Sequence, residues 1–164
     1  MPVRNLFGAP MVMEDDIRLE MATKPRLLGV VRAMVRSYLQ SKGFSAETVD
    51  LAVLAVDEAC ANSIRHSYGS RTDCRMELRV RVTDAHVEFE LIDDGMPLDW
   101  ERCARRELAP PELSALRPGG LGVQLMYRVF DEVTFEPGGE HGNRTLMRLQ
   151  RPPAGQTAHR AHDA

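Results

Sequence analysis

A carboxylate and an amide stand four residues apart in the run VDEACANSIRHSYG, with a histidine four further on: Glu58, Asn62 and His66. At about 100° per residue this spacing makes one slowly drifting stripe along a helix. Val49, Val53, Val56 and Cys60 fall roughly opposite, and Ala55 and Ala59 leave room beside the polar stripe. Carboxylate plus amide suits a magnesium–phosphate site, because hard Mg2+ prefers oxygen and takes only one or two ligands from protein. A carboxylate in that place can also accept the proton of an attacking hydroxyl. Taken alone, the same pattern describes a solvated helix face.

Three further stretches carry possible chemistry. LIDDGMPLD places Asp93, Asp94 and Gly95 at the end of an alternating run. A carboxylate aimed into a pocket there can accept a hydrogen bond from an adenine amino group, although the tripeptide by itself is a turn signal. RPGGLGVQLM puts glycines ahead of an apolar-periodic run, so bare N–H groups at a helix start would favour an anion such as phosphate. No G-x4-G-K-[ST] occurs, and no third glycine completes a dinucleotide fingerprint. GNRTLMRL turns into a strand that carries Thr145 and says nothing alone.

The elements that must position these residues follow from hydrophobic period. IRLEMAT (17–23) alternates as a short strand. Leu27, Val31, Met34, Val35 and Tyr38 mark an amphipathic helix over 25–41, with Thr23 as a candidate cap and Pro25 in its first turn. Gly43 ends it, and Ser45 with Glu47 opens a second helix over about 46–67. Residues 74–83 and 86–92 alternate around Asp84-Ala85 as a β-hairpin. A long proline-bearing stretch, 93–118, includes a candidate helical turn around 99–108. GGLG (119–122) opens a helix through VQLMYRVFDE. VTFEP (133–137), a turn at Gly138-Gly139 and NRTLMRLQ (143–150) close the order β-α-α-β-β-loop-α-β-β. That order predicts an α/β two-layer sandwich: one mostly antiparallel mixed sheet with helices on a single face.

Composition bounds the function. The 164 residues are 43% hydrophobic and 27% charged, values of one globular domain and not of a disordered chain. A net charge of −3 argues against direct nucleic-acid binding. No apolar run is long enough for a membrane helix, and MPVRNLFGAPMVMEDD has no signal-peptide core, so a cytoplasmic location is expected. Three cysteines without a CxxC exclude a disulfide framework and argue against structural zinc. His159 and His162 read as tail composition. Residues 1–16 are expected to be a flexible lead-in and 151–164 a disordered tail. Between Met21 and Ala46 the charged residues are all basic: Lys24, Arg26, Arg32, Arg36 and Lys42. Arg32 and Arg36 share a helix face that reads either as a dock for an acidic partner or as solvated surface.

The four stretches in this order resemble the nucleotide site of the GHKL superfamily, which includes gyrase, the heat-shock chaperone ATPase, sensor histidine kinases and MutL. Within it, VDEACANSIRHSYG, DDGMPLD, GGLGVQLMYRVFDEVTFEP and GNRTLMRL look most like the small anti-sigma-factor serine kinases of partner-switching systems. The resemblance covers residues 17–150 and implies a Bergerat-type ATP-binding fold with a lid at about 96–118. It implies ATP and Mg2+ as ligands. It makes Glu58 the residue that orients or deprotonates the acceptor hydroxyl, Asn62 a Mg2+ ligand and Asp93 the acceptor for the adenine amino group. Gly95 would let the backbone pass close to the base. Gly120 and Gly122 would lie at the phosphates, Arg117 would be a basic lid residue reaching them, and Thr145 would support Asp93, often through water. His66 fits a frequent family position, where a structural contact is expected.

The implied partners are an anti-anti-sigma type antagonist protein and a sigma factor, with the chain working as a homodimer. Two alternatives stand beside the kinase: a non-catalytic nucleotide-dependent protein-binding regulator and a histidine-kinase-like catalytic domain. Intact Glu58 and Asn62 favour the kinase over the first. The short run ahead of the first strand argues against the second, which needs a dimerisation hairpin.

Overall fold

The computed structural model describes residues 16–97, 122–139 and 142–152. Five strands, β1 (Ile17–Ala22), β2 (Arg75–Val82), β3 (His86–Asp93), β4 (Glu132–Gly139) and β5 (Gly142–Gln150), form one sheet in the order β1-β2-β3-β5-β4. Every pair is antiparallel, so the mixed character expected from sequence is absent among the described residues. Helices α1 (Leu28–Ser41), α2 (Ala46–Asn62) and α3 (Gly122–Val129) supply the second layer. All of the proposed lead-in but Asp16, most of the lid and most of the tail lie outside the described segments, as do Arg117 and Gly120.

Alternation decides which sheet face meets the helices. Leu78, Val80, Val87, Phe89, Leu91 and Met147 are buried against Leu28, Val31, Val35 and Leu39 of α1 and Val49, Val53, Val56 and Cys60 of α2. Each such side chain contributes about 1.5–3 kcal/mol by leaving water. Phe89 meets Phe130 edge to face at 5.9 Å, which fastens the end of α3 to the middle of the sheet.

The opposite face is a lattice of ion pairs. Glu88 accepts from Arg148 at 2.7 Å, and Arg148 reaches Glu132 at 2.6 Å. Glu90 gathers Arg81 at 2.7 Å, Arg79 at 3.8 Å and Arg144. Arg18 pairs with Glu77 at 2.7 Å, and Arg75 with Glu20. The register puts Arg81, Glu88, Arg148 and Glu132 directly opposite one another across four strands. A sheet with one apolar and one charged face buries helices on one side only.

Local signals account for most element ends. Ser45 caps α2 by accepting from Thr48 N–H at 3.2 Å. Thr83 closes the β2–β3 hairpin, its hydroxyl accepting from His86 N–H at 2.9 Å. Three expectations change. Thr23 is not a helix cap: it is buried and its hydroxyl donates to Arg71 C=O at 2.7 Å, tying the end of β1 to the loop before β2. Residues 25–27 form a 3-10 turn ahead of α1. The helix after the glycines stops at Val129, because Asp131 N–H already bonds to Arg148 C=O at 2.9 Å and the chain enters β4 at Glu132.

The basic face of α1 is not free either. Arg32 donates to Asp57 at 2.8 Å and Arg36 to Asp50 at 2.5 Å, both on α2. The arginines therefore staple two antiparallel helices together while staying about half exposed, so a partner docking on this face would compete with Asp57 and Asp50 for them.

Candidate functional site

Helix α2 carries the proposed catalytic stripe where its apolar and polar arcs meet. Ala55 and Ala59 are buried beside it, and their small side chains let α3 come close. The approach is tightest at Gly122. A Cβ there would lie 2.7 Å from Glu58 Oε2, 3.2 Å from Glu58 Cβ and 3.4 Å from Asn62 Nδ2. Glycine is what allows the start of α3 to sit on the carboxylate and the amide together. Glu58 remains 29% exposed at its side chain, open enough to meet a substrate, while Asn62 is buried. Asp57, the carboxylate next door, turns to Arg32 on α1 and takes no part.

Arg65 joins this pair without a sequence signal to announce it. Its Nη2 donates to Asn62 Oδ1 at 2.7 Å and lies 3.4 Å from Glu58 Oε2. The guanidinium brings positive charge to the place where the resemblance puts phosphate. By type, one amide oxygen and one carboxylate fit Mg2+, and Asn62 Oδ1 now accepts from Arg65, which a cation would have to displace. Among the described residues no cluster of three or more His, Cys, Asp or Glu side chains converges. A divalent ion here therefore depends on oxygens that a phosphate ligand brings with it.

The α2 stripe does not run on to His66. After Asn62 the helix widens into one π-helical turn, Ser63–Ser67, a form frequent at functional sites. This turn directs Ser63 and Ser67 inward and leaves Arg65 and His66 exposed. Partial burial and then the neighbouring Arg65 charge lower the His66 imidazole below its usual range.

Ser63 and Ser67 face Asp93 at the last position of β3. Asp93 is buried and accepts four hydrogen bonds: from Ser63 and from Ser67 at 3.3 Å on Oδ2, and from Gly95 N–H at 3.1 Å and Asn143 Nδ2 at 2.7 Å on Oδ1. Asn143 is the directly paired residue on β5. Its amide also donates to Gly95 C=O and Met96 C=O, both at 3.2 Å, and accepts from Gly138 N–H at 2.9 Å. One buried side chain thus holds the carboxylate, the chain leaving β3 and the β4–β5 turn.

Thr145 lies two residues on, on the same inward face and opposite Leu91, with no direct bond to Asp93. Asn143 makes the direct contact instead. The glycines around Asp93 have a packing reason. A Cβ at Gly95 would stand 2.5 Å from the Ser67 carbonyl oxygen, and one at Gly142, where φ is +89°, would stand 2.3 Å from the Asp93 carbonyl oxygen. Gly95 is thus required by the π-helical turn, a constraint separate from any approach to a base.

A recess of about 510 Å3 opens at the same strand exit, lined by Ser67, Tyr68, Gly95 and Met96 among others; Glu58 and Asn62 are not part of its wall. Tyr68 in its wall donates to Asp94 at 2.8 Å, and burial pushes the phenol well above its ordinary pKa.

Two groups of candidate site residues result. One is the buried Asp93 carboxylate with its four chain donors. The other, Glu58, Asn62 and Arg65 under Gly122, is suited to phosphate, metal and an acceptor hydroxyl. Residues 21–149 match the profile described as the Histidine kinase-like ATPase domain. The chain belongs to that family.

Within it the chain is similar to curated serine-protein kinases called RsbW. The RsbW of Oceanobacillus iheyensis is 29% identical over 123 residues, covering 73% of this chain and 77% of the relative. That of Bacillus licheniformis is 30% identical over 124 residues, 73% and 76%. That of Bacillus subtilis is 26% identical over 126 residues, 74% and 78%. Among solved structures, the RsbU and RsbW domains of a Mycobacterium tuberculosis protein share the fold, with a TM-score of 0.55 and 16% identity over 83% of this chain. The match spans 33% of that longer chain.

Proposed function

We propose that this chain is an ATP-dependent serine-protein kinase that phosphorylates an antagonist protein and sequesters a sigma factor. The observation that carries the reading is the meeting of Glu58 and Asn62 with the start of α3 at Gly122, with the buried Asp93 at the end of β3 as the candidate base-reading carboxylate. Its relatives named above are serine-protein kinases, which favours a protein hydroxyl as acceptor over a histidine.

Phosphoryl transfer asks a protein mainly for positioning and charge neutralisation. Glu58, partly exposed on α2, would orient the acceptor serine and take its proton. Asn62 would offer its amide oxygen to Mg2+ in place of Arg65, which now donates to it, and the ion would supply charge neutralisation on the phosphates. Asp93 would accept from the adenine amino group, which selects adenine over a purine bearing a carbonyl at that position. Asn143 would fix the orientation of that carboxylate, with Thr145 beside it on the same face. Gly122, and by resemblance Gly120 and Arg117, would attend the phosphates. Homodimerisation, dependence on Mg2+ and a cytoplasmic location complete the proposal. Among the described residues no helix is long and apolar enough to cross a membrane.

The test is transfer of radiolabel from ATP to candidate antagonist proteins. Glu58→Ala is expected to retain ATP binding and lose transfer, and Asn62→Ala to lose transfer together with the Mg2+ dependence of binding. Label transfer by Glu58→Ala at the wild-type rate would remove Glu58 from the reaction.

A further inference from the structure

The carboxylate of Asp93 has no vacancy. An ionised carboxylate offers about four acceptor sites, and chain donors take all of them: Ser63 and Ser67 on Oδ2, Gly95 N–H and Asn143 on Oδ1. Any ligand amino group that binds Asp93 must replace one of these donors.

The four are not equally replaceable. Gly95 N–H is backbone, held by the Met96 N–H to Ser67 C=O bond at 2.8 Å on its far side. Asn143 makes three further hydrogen bonds with the same amide, so withdrawing it would loosen the strand exit and the β4–β5 turn at once. The serine hydroxyls are different. Each rotates about a single side-chain bond without moving backbone, and the Ser67 bond is the longest of the set at 3.3 Å. Both serines are buried beside the buried carboxylate, so in the free protein their hydroxyls supply the donors it requires.

We propose that Ser63 and Ser67 form a hydroxyl clamp on Oδ2 of Asp93 that a nucleobase amino group must open, with Ser67 the donor that yields. The clamp makes these serines specificity-determining residues. A purine carrying an amino group at the 6-position donates to Oδ2 and takes the place of Ser67. A purine carrying a carbonyl there presents an acceptor to an acceptor, and the clamp stays shut. The clamp also holds down affinity for the correct base, since each binding event exchanges one hydrogen bond for another. The inference rests on the reading of Asp93 as the base-reading carboxylate.

The experiment is calorimetric titration of the full chain with ADP and with inosine diphosphate, which differs in having the 6-carbonyl. Ser67→Ala leaves Oδ2 one donor short in the free protein and removes the competitor. It is expected to tighten ADP roughly three- to tenfold, the equivalent of one net hydrogen bond, with inosine diphosphate unchanged. Ser67→Cys keeps the size and only a weak donor, and is expected to fall between, which preserves the test if the alanine variant folds poorly. Weaker or unchanged ADP binding in both folded variants overturns the clamp, as does equal tightening of the two nucleotides. Asp93→Asn in the wild-type background separates the two levels of the argument. If that variant binds ADP as well as the parent, the base-reading role falls and the clamp falls with it. If Asp93→Asn weakens ADP while Ser67→Ala does not tighten it, only the clamp is lost.

Discussion

Gly122→Ala is the substitution whose consequence is most directly worked from the geometry. The added methyl group would meet Glu58 Oε2 at 2.7 Å and Glu58 Cβ at 3.2 Å. The first contact is with the free end of a side chain that is 29% exposed, so the carboxylate can swing outward. The second asks the two helices to part by a few tenths of an ångström. Alanine in a helix is better than glycine by up to about 1 kcal/mol, which offsets much of that strain. The expected stability change is therefore within about 1 kcal/mol of zero. The catalytic change is not small. A reacting group displaced by about 1 Å costs on the order of 100-fold in rate, and the carboxylate must move by about that much. Thermal denaturation measures the first quantity, calorimetric ADP titration checks that the base end is intact, and radiolabel transfer measures the second. Transfer at the wild-type rate in a folded Gly122→Ala protein would refute the claim that glycine is there to leave Glu58 in place.

Gly95→Ala makes the contrasting case: its Cβ would meet the Ser67 carbonyl oxygen at 2.5 Å, a backbone atom that cannot swing away, so a loss of roughly 1–3 kcal/mol is expected in urea denaturation. Reversing Arg32 and Arg36 to glutamate should set like charges against Asp57 and Asp50 and cost about 1 kcal/mol in all, with partial recovery when the two aspartates are changed to arginine; an unchanged midpoint would show that the staples contribute nothing. Burial pushes the Cys60 thiol up to about 12, with Asp57 adding to the effect, so Cys60 should resist iodoacetamide in the native protein at pH 8 and react only on unfolding, read by peptide mass spectrometry.

The proposed catalytic residues were legible in sequence wherever one element carried a spacing. Glu58 and Asn62 sit on a regular helix, so their shared stripe follows from helical period, and the alternation of β2 and β3 placed Asp93 at a strand end. What the sequence did not disclose lies at two kinds of place. The first is where period changes: the α-to-π transition after Asn62 turns Ser63 and Ser67 inward and His66 outward, and no composition signal marks it. The second is long-range register. Asn143 reaches Asp93 only because β5 pairs with β3 in that alignment, whereas Thr145 on the same strand was implied by the family resemblance alone. Charge pairing across elements was invisible for the same reason: Arg32 and Arg36 form a basic face on their own helix and half of two ion pairs in the fold.

The charged sheet face has a practical meaning for anyone building on this domain. Arginines and glutamates there neutralise one another strand by strand, so the surface is strongly polar while its local field largely cancels. A partner that docked on it would have to unmake those pairs before making its own, a poor starting point for fast recognition. The helices and the strand exits, where the proposed site residues gather, are thereby left to meet other molecules. The lattice is the natural place for a fluorophore or a tether, at a position such as Arg18 or Glu20 near the β1 edge, on the face away from the proposed site residues.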